Sequence, residues 1–324
     1  MKVAFVSELP FMGKVTSDNA EMRTEFAWMC ALEADHFPII TEHIEGYDLV
    51  IVIIPKGEVF LNAVGSQLVD KENPTSIILQ SDLIDRLKSK NHKVAYMQEG
   101  PNWLFNDYTI EDQINFYTQL SKMDLIFAHN ESDSKFYKGL FPNTKVEVMR
   151  TLMITDLIAD SLKKEDETII GGNFSHWYGG FQSYFIAQQF ENDIWIQSSH
   201  SKRVNEDRLD NLNHLERVPW LDWVNNLSRY RYAVHLMPTV AAGTFSLNCA
   251  YWGIPCIGNG KVDTQRLCFP DLSVDIDDVD SAMKCAIKLK DESFYDEVSE
   301  KSKELYEKYY SVKAWKENFN KIIF

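Results

Sequence analysis

Three groups of residues in this chain have types and spacings that could do chemistry. The first is Gly171-Gly172-Asn173-Phe174-Ser175-His176, which opens a ten-residue loop with four glycines ending at Gly179-Gly180. Glycines let a backbone approach a pyrophosphate closely, and His176 adds a hydrogen bond or a charge. The second is Gly243-Thr244-Phe245-Ser246 with Asn248, at the start of a helix-like segment. Free amides and the helix dipole favour an anion there, and the hydroxyls of Thr244 and Ser246 either bind phosphate oxygens or cap the helix. The third is Glu99, at the tip of a strand-like run, where a general base would take a proton from a hydroxyl. Lys202 and Arg203, just after Ser198, form a basic pair that would offset diphosphate charge, unless they belong to a plain surface loop. In the first half, Gly13 and Lys14 in the first loop, Arg23 in the next helix and His129 at a strand end complete the candidates. His235, inside an apolar run, reads as a core residue.

Such residues need strands and helices to hold them, and the pattern supplies an alternation from the start. Strands are expected at Lys2–Ser7, Asp48–Pro55, Lys93–Met97, Leu125–Ala128 and Val146–Met149, with helices at Glu21–Ala34, Leu83–Ser89 and Glu111–Lys122. Asp48–Pro55 is apolar on both faces, the mark of a central parallel strand. The charged segment Leu162–Thr168 reads as part of a linker over residues 150–167. Beyond it come strands at Thr168–Gly171 and Ile194–Gln197 and helices at Gln182–Phe190 and Trp223–Arg229. From Tyr232 to Asn259 the order is strand, small-residue loop, helix, Gly-x-Pro turn, strand: a βαβ unit. Helices at Ser281–Leu289, Ser299–Tyr309 and Val312–Ile323 end the chain. The expected fold class is α/β, with two doubly wound parallel sheets.

Composition bounds the function. A chain of 324 residues, 45% hydrophobic, is long enough for two cores. The net charge is −15, with 14 Lys and Arg against 24 Asp and Glu in residues 1–160 and 19 against 24 in the rest. Extended nucleic acid is therefore a poor default partner, because such binding rests on phosphate neutralisation. No apolar run is long enough for a membrane span, and the first residues read as a strand rather than a signal peptide. Five cysteines without a CxxC or a His partner at metal spacing suit buried thiols in a reducing cytoplasm. Asp277-Asp278-Val279-Asp280 lies at a helix start, where carboxylates offset the dipole rather than bind a metal.

A more specific pattern runs from Val218 to Gly258. Val218-Pro219-Trp220 makes a Val-Pro turn, Asn225–Tyr230 ends a helix in Ser-Arg-Tyr, and Val234–Pro238 is an apolar strand ending in proline. Gly243-Thr244-Phe245-Ser246, Asn248-Cys249-Ala250 and Gly253-Ile254-Pro255-Cys256-Ile257 follow, and Tyr309-Tyr310-Ser311 with Trp315 closes the chain. This resembles the second domain of glycosyltransferases of the GT-B fold, the retaining glycosyltransferase family 4 above all. The first half matches only in strand–helix order.

The resemblance implies two Rossmann-like domains facing a cleft: residues 1–155 on the acceptor side, 156–310 binding a nucleotide-sugar, and 311–324 as a helix crossing back. It implies a cytoplasmic enzyme that moves a hexosyl or pentosyl group from a nucleoside-diphosphate sugar to an acceptor hydroxyl. No metal and no cofactor beyond that co-substrate is expected. Gly171 to His176, Ser198, Lys202, Arg203, Val218, Gly243 to Ser246 and Asn248 would hold the donor, and Gly13, Lys14, Arg23 and His129 would lie on the acceptor side. The family's paired glutamates fall near Val240 and Asn248; an asparagine there binds a hydroxyl less strongly than a carboxylate. Two rival readings stay open. The string Ala95-Tyr96-Met97-Gln98-Glu99 loosely resembles phage enzymes that glucosylate hydroxymethylated DNA bases. The missing glutamates also suit an inert GT-B-like protein that binds a nucleotide or glycan.

Overall fold

The computed structural model describes residues 1–7, 11–16, 24–38, 41, 44–53, 83–107, 110–197 and 202–324. Arg23 and Ser198 lie outside the described residues. The chain forms two compact units, one of Met1–Ala20, Glu25–Arg150 and Asn318–Phe324, the other of Glu21–Thr24 and Thr151–Glu317.

The first unit holds strands β1 (Val3–Ser7), β2 (Gly13–Lys14), β3 (Asp35–Pro38), β4 (Leu49–Ile53), β5 (Lys93–Met97), β6 (Leu125–Ala128) and β7 (Lys145–Val148). Their order is β2-β3-β1-β4-β5-β6-β7, parallel apart from the β2–β3 pair. Every residue of Leu-Val-Ile-Val-Ile in β4 is 3% exposed or less, as expected for a run apolar on both faces. On one face Val50, Val52, Val94, Tyr96 and Ile126 pack against Leu83, Ile84 and Leu87, and against Phe116 and Leu120 of helix Ile110–Ser121. On the other face Phe127 meets Trp28 edge-on and stacks on Phe319.

Strands β2 and β3 were not expected from the pattern. Asp35-His36-Phe37-Pro38 has no run of apolar residues, and its pairing is supported by satisfied polar contacts instead. His36 is fully buried, its Nε2 bonded with Ser7 Oγ and its Nδ1 with the Phe11 carbonyl, each at 2.8 Å. Burial without a partner would have cost several kcal/mol.

The second unit holds β8 (Glu165–Ile170), β9 (Ile194–Gln197), β10 (Leu212–Leu215), β11 (Tyr230–His235), β12 (Cys256–Asn259) and β13 (Ser273–Val274). All pairs are parallel, in the order β10-β9-β8-β11-β12-β13. The charged segment expected to be linker is partly strand: β8 begins at Glu165. Arg229, beside the start of β11, bonds both Glu165 (2.8 Å) and Glu167 (2.9 Å), so charge pairing extends the ladder past the apolar core. The expected βαβ unit is present, with β11 and β12 adjacent and the helix Thr244–Trp252 between them in sequence. Gly253, at φ +63°, caps that helix and turns the chain into Ile254 and Pro255. Asp278 caps the helix Val279–Lys288, accepting from Ser281 N, which is the dipole role read for this acidic run.

Candidate functional site

In the second sheet the strand order reverses between β8 and β11: β8 leads outward to β9 and β10, while β11 leads outward the other way. Loops leaving the carboxyl ends of two such strands part to opposite faces and leave a crevice between them. Both loops singled out in the sequence begin there, Gly171–Gly180 after β8 and the segment 236–243 after β11.

Several contacts bring these loops together. Gly171 N donates to Val234 O at 2.9 Å, and Thr239 N donates to Trp177 O at 3.4 Å. A Cβ on Gly171 would lie 2.5 Å from Cγ of His235 and 2.9 Å from the Phe245 ring, so only glycine lets the first loop lie this close. His235 and Phe245 meet edge-on with ring centroids 5.0 Å apart. Gly171 therefore sits against the first turn of the helix Thr244–Trp252.

That helix starts at Gly243, whose φ of +74° is left-handed. Its carbonyl accepts from Leu247 N at 3.1 Å, from Thr264 Oγ1 at 2.8 Å and from Ser246 Oγ at 3.1 Å. Thr264 and Ser246 hydroxyls are also 2.7 Å apart. The amides of Thr244, Phe245 and Ser246 precede the first intrahelical bond, and among the described residues no side chain caps them. Three N–H groups at the positive end of a helix, beside a glycine loop and without a partner among the described residues, are donors of the kind an anion takes.

The recess beside this helix start is lined by His235, Met237, Thr239, Ala241, Gly243, Ser246, Asn259, Val262 and Gln265. Two lining atoms, His235 Nε2 and Gln265 Oε1, are buried without a hydrogen-bond partner among the described residues, as is Ser175 Oγ in the glycine loop. Buried polar atoms of this kind are few in folded proteins and mark strain, water or a missing ligand. His235, read from the sequence as a core residue, is enclosed and also lines this recess. Its position at the last residue of β11 was legible, but not the glycine neighbour that opens one side of its ring. Burial lowers its pKa to about 4, so near neutral pH it offers a neutral imidazole. Asn259 and Gln265 line the recess and Thr264 supports its glycine, and nothing in their spacing distinguishes them in sequence from ordinary helix and strand ends.

The remaining sequence candidates divide between the site and the scaffold. Arg203 Nη1 donates to Phe174 O at 2.9 Å, which ties the basic pair to the glycine loop, and Lys202 next to it is exposed. His176 is exposed, its ring 3.9 Å from that of Trp177. Phe174 turns its ring into the core against Tyr184, and Asn173 Oδ1 accepts from Ser175 N at 2.8 Å to shape the turn. Gly172, at φ +75°, makes the bend itself. The Ser246 hydroxyl is engaged with Gly243 and Thr264. Asn248 is buried one turn further on and does not line the recess, and Val218 is half-buried beyond the edge strand β10.

In the first unit Glu99 and His129 follow β5 and β6, which are neighbours in the sheet. Gln98 joins them: its Oε1 accepts from His129 N (3.2 Å), and its Nε2 donates to Asp133 (2.6 Å) and Gly100 O (2.7 Å). Asn130 Nδ2 adds a bond to the same Asp133 oxygen (2.8 Å), so both strand tips are fixed by one buried network. Glu99 itself is half-buried. Gly13 and Lys14 lie in β2, four strands from β5 in the sheet order, or roughly 19 Å at the usual spacing. The structure does not bring them to Glu99.

No family model matches the sequence, and no curated protein matches it. Solved structures do match in shape. Trehalose-6-phosphate synthase OtsA superposes with a TM-score of 0.67 at 10% identity, over 99% of this chain and 98% of that one. HepE of Anabaena, solved with UDP and glucose, gives 0.63 at 7% identity over 99% and 98%. The pneumococcal O-GlcNAc transferase GtfA, solved with UDP and GlcNAc, gives 0.58 at 11% identity; 85% of this chain spans only 57% of that one. Among the described residues no helix is long and apolar enough to cross a membrane. Two Rossmann-like units matching such neighbours over nearly the whole chain give this protein the GT-B fold.

Proposed function

We propose that the chain is a glycosyltransferase that moves a sugar from a nucleoside-diphosphate sugar to an acceptor hydroxyl, without a metal. The observation that carries this is the set of N–H donors at the β8–β11 crevice, in a fold shared with transferases solved with UDP. The amides of Thr244, Phe245 and Ser246 would hold the diphosphate and stabilise the charge that develops as it leaves. The Thr244 hydroxyl, Lys202 and Arg203 would add to that stabilisation, with Arg203 also holding the Phe174 carbonyl. His235 would donate a neutral hydrogen bond to the donor. Glu99, held at the tip of β5 by the Gln98–Asp133 network, would take the proton of the acceptor hydroxyl as it attacks. The sugar–phosphate bond breaks, the sugar–oxygen bond forms, and the nucleoside diphosphate departs with the bonding pair. The net acidity of the first half weighs against a DNA acceptor.

The test is Glu99→Gln, assayed by product formation and by nucleotide titration. Transfer should fall by about 10²–10⁴-fold with nucleotide affinity unchanged. Full activity would remove Glu99 from this role, and failure of the wild type to turn over any nucleotide-sugar would leave the inert-module reading.

A further inference from the structure

The second unit has another cavity, of about 410 Å³, at the opposite edge of its sheet. It is lined by Lys164, Ser228, Tyr251, Trp252, Lys303, Tyr306 and Glu307, with Ser161 and Leu162 at its rim. Lys164 directly precedes β8, and Ser228 lies just before β11, so the cavity opens at the amino ends of the strands whose carboxyl ends form the crevice. A six-residue strand separates the two places by about 20 Å. The size is within the usual range for small-molecule sites.

The cavity brings two basic side chains together, Lys164 and Lys303. Arg229 pairs with Glu165 and Glu167, Arg231 with Glu292, and Lys301 with Asp271. Lys164 and Lys303 have no carboxylate partner among the described residues, in a chain with 48 acidic side chains. The Lys164 ammonium donates to Tyr230 O at 3.3 Å, which fixes its position. Two ammonium groups left facing one space gain from a dianion between them. Tyr251 stands edge-on to both Trp252 and Tyr306, giving apolar ring surface beside the charges. Glu307 lines the same space. A ligand that was all anion would be repelled there, whereas one with hydroxyls would donate to it.

We propose that this cavity binds a phosphorylated sugar, with the phosphate between Lys164 and Lys303, the ring against Tyr251, Trp252 and Tyr306, and the hydroxyls on Glu307. It is a second site, separate from the crevice that would hold the nucleotide-sugar, and does not rest on that assignment.

Calorimetric titration of the full chain with glucose 6-phosphate, glucose and inorganic phosphate tests this. Glucose 6-phosphate should bind at one site, at least about tenfold more tightly than either fragment. Lys164→Met and Lys303→Met should each weaken it by about tenfold or more, while UDP titrates as in the wild type. Both stems are open to solvent, so an unchanged melting curve shows that the variants fold. No binding at millimolar glucose 6-phosphate would overturn the proposal. So would binding that survives both substitutions, which would place the ligand elsewhere, or inorganic phosphate binding equally well.

Discussion

Replacing Gly243 with alanine tests the geometry of the proposed anion site. At φ +74° a residue with a Cβ pays about 1–2 kcal/mol for the left-handed backbone. The new Cβ would fall on Thr264 Oγ1 and lie 2.6 Å from Val262 Cγ1, so Thr264 must move. It would then lose its bonds to Gly243 O (2.8 Å) and Ser246 Oγ (2.7 Å), each worth about 1 kcal/mol net. The expected loss is about 3–4 kcal/mol, or roughly 10 °C in the melting of a unit this size. Thr264→Val removes the two bonds without the backbone strain and should cost about half as much. Gly260→Ala, where the nearest atom to a Cβ is 3.4 Å away, is the control and should be near neutral. Calorimetric melting of the three variants reads the ladder, and UDP titration should show at least about a tenfold loss of affinity for Gly243→Ala. The reasoning is refuted if Gly243→Ala melts with Gly260→Ala and binds nucleotide as before.

Two further predictions concern neighbouring side chains. His235 titrates at about 4 in the folded chain against 6.5 unfolded, so between those values the unfolded chain binds more protons. Stability should therefore rise with pH from about 4 to 6.5, by up to about 3 kcal/mol from this group, and His235→Asn should flatten that part of the denaturation profile; an unchanged slope would show that the imidazole is not buried as described. Arg203→Met removes the guanidinium bond to Phe174 O, and should weaken nucleoside diphosphate binding by about tenfold while changing stability by less than about 1 kcal/mol, since the side chain is exposed. Equal affinity in a salt titration would take Arg203 out of the site.

The parts of this fold that could be read from sequence are those set by apolar runs. Lys93–Met97 and Leu125–Ala128 stand where the pattern put them, and Leu49–Ile53 lies within the expected run Asp48–Pro55, because strands buried on both faces leave a plain signal. Two short strands gave none: Asp35–Pro38 and Leu212–Leu215 carry neither an apolar run nor an alternation, and their pairing depends on partners distant in the chain. The start of β8 was hidden for a different reason, since Glu165 and Glu167 look like linker until Arg229 is placed beside them. In the site, the glycines were legible because close approach leaves few alternatives. Gly171 and Gly243 both prove to be crowded positions. The supports of those glycines were not legible: Thr264 and His235 act through contacts made only once β11 and the following helices pack. Phe174 shows the converse, a residue that was singled out by its neighbours in the chain and is used for the core.

Amide hydrogen exchange with and without UDP tests the central claim most directly, because it reads the backbone groups proposed to hold the diphosphate. Protection should appear at Thr244, Phe245 and Ser246 and in the loop Gly171–Gly180, with the amino-end cavity unaffected. Binding that leaves these amides exchanging as in the free protein would contradict the account.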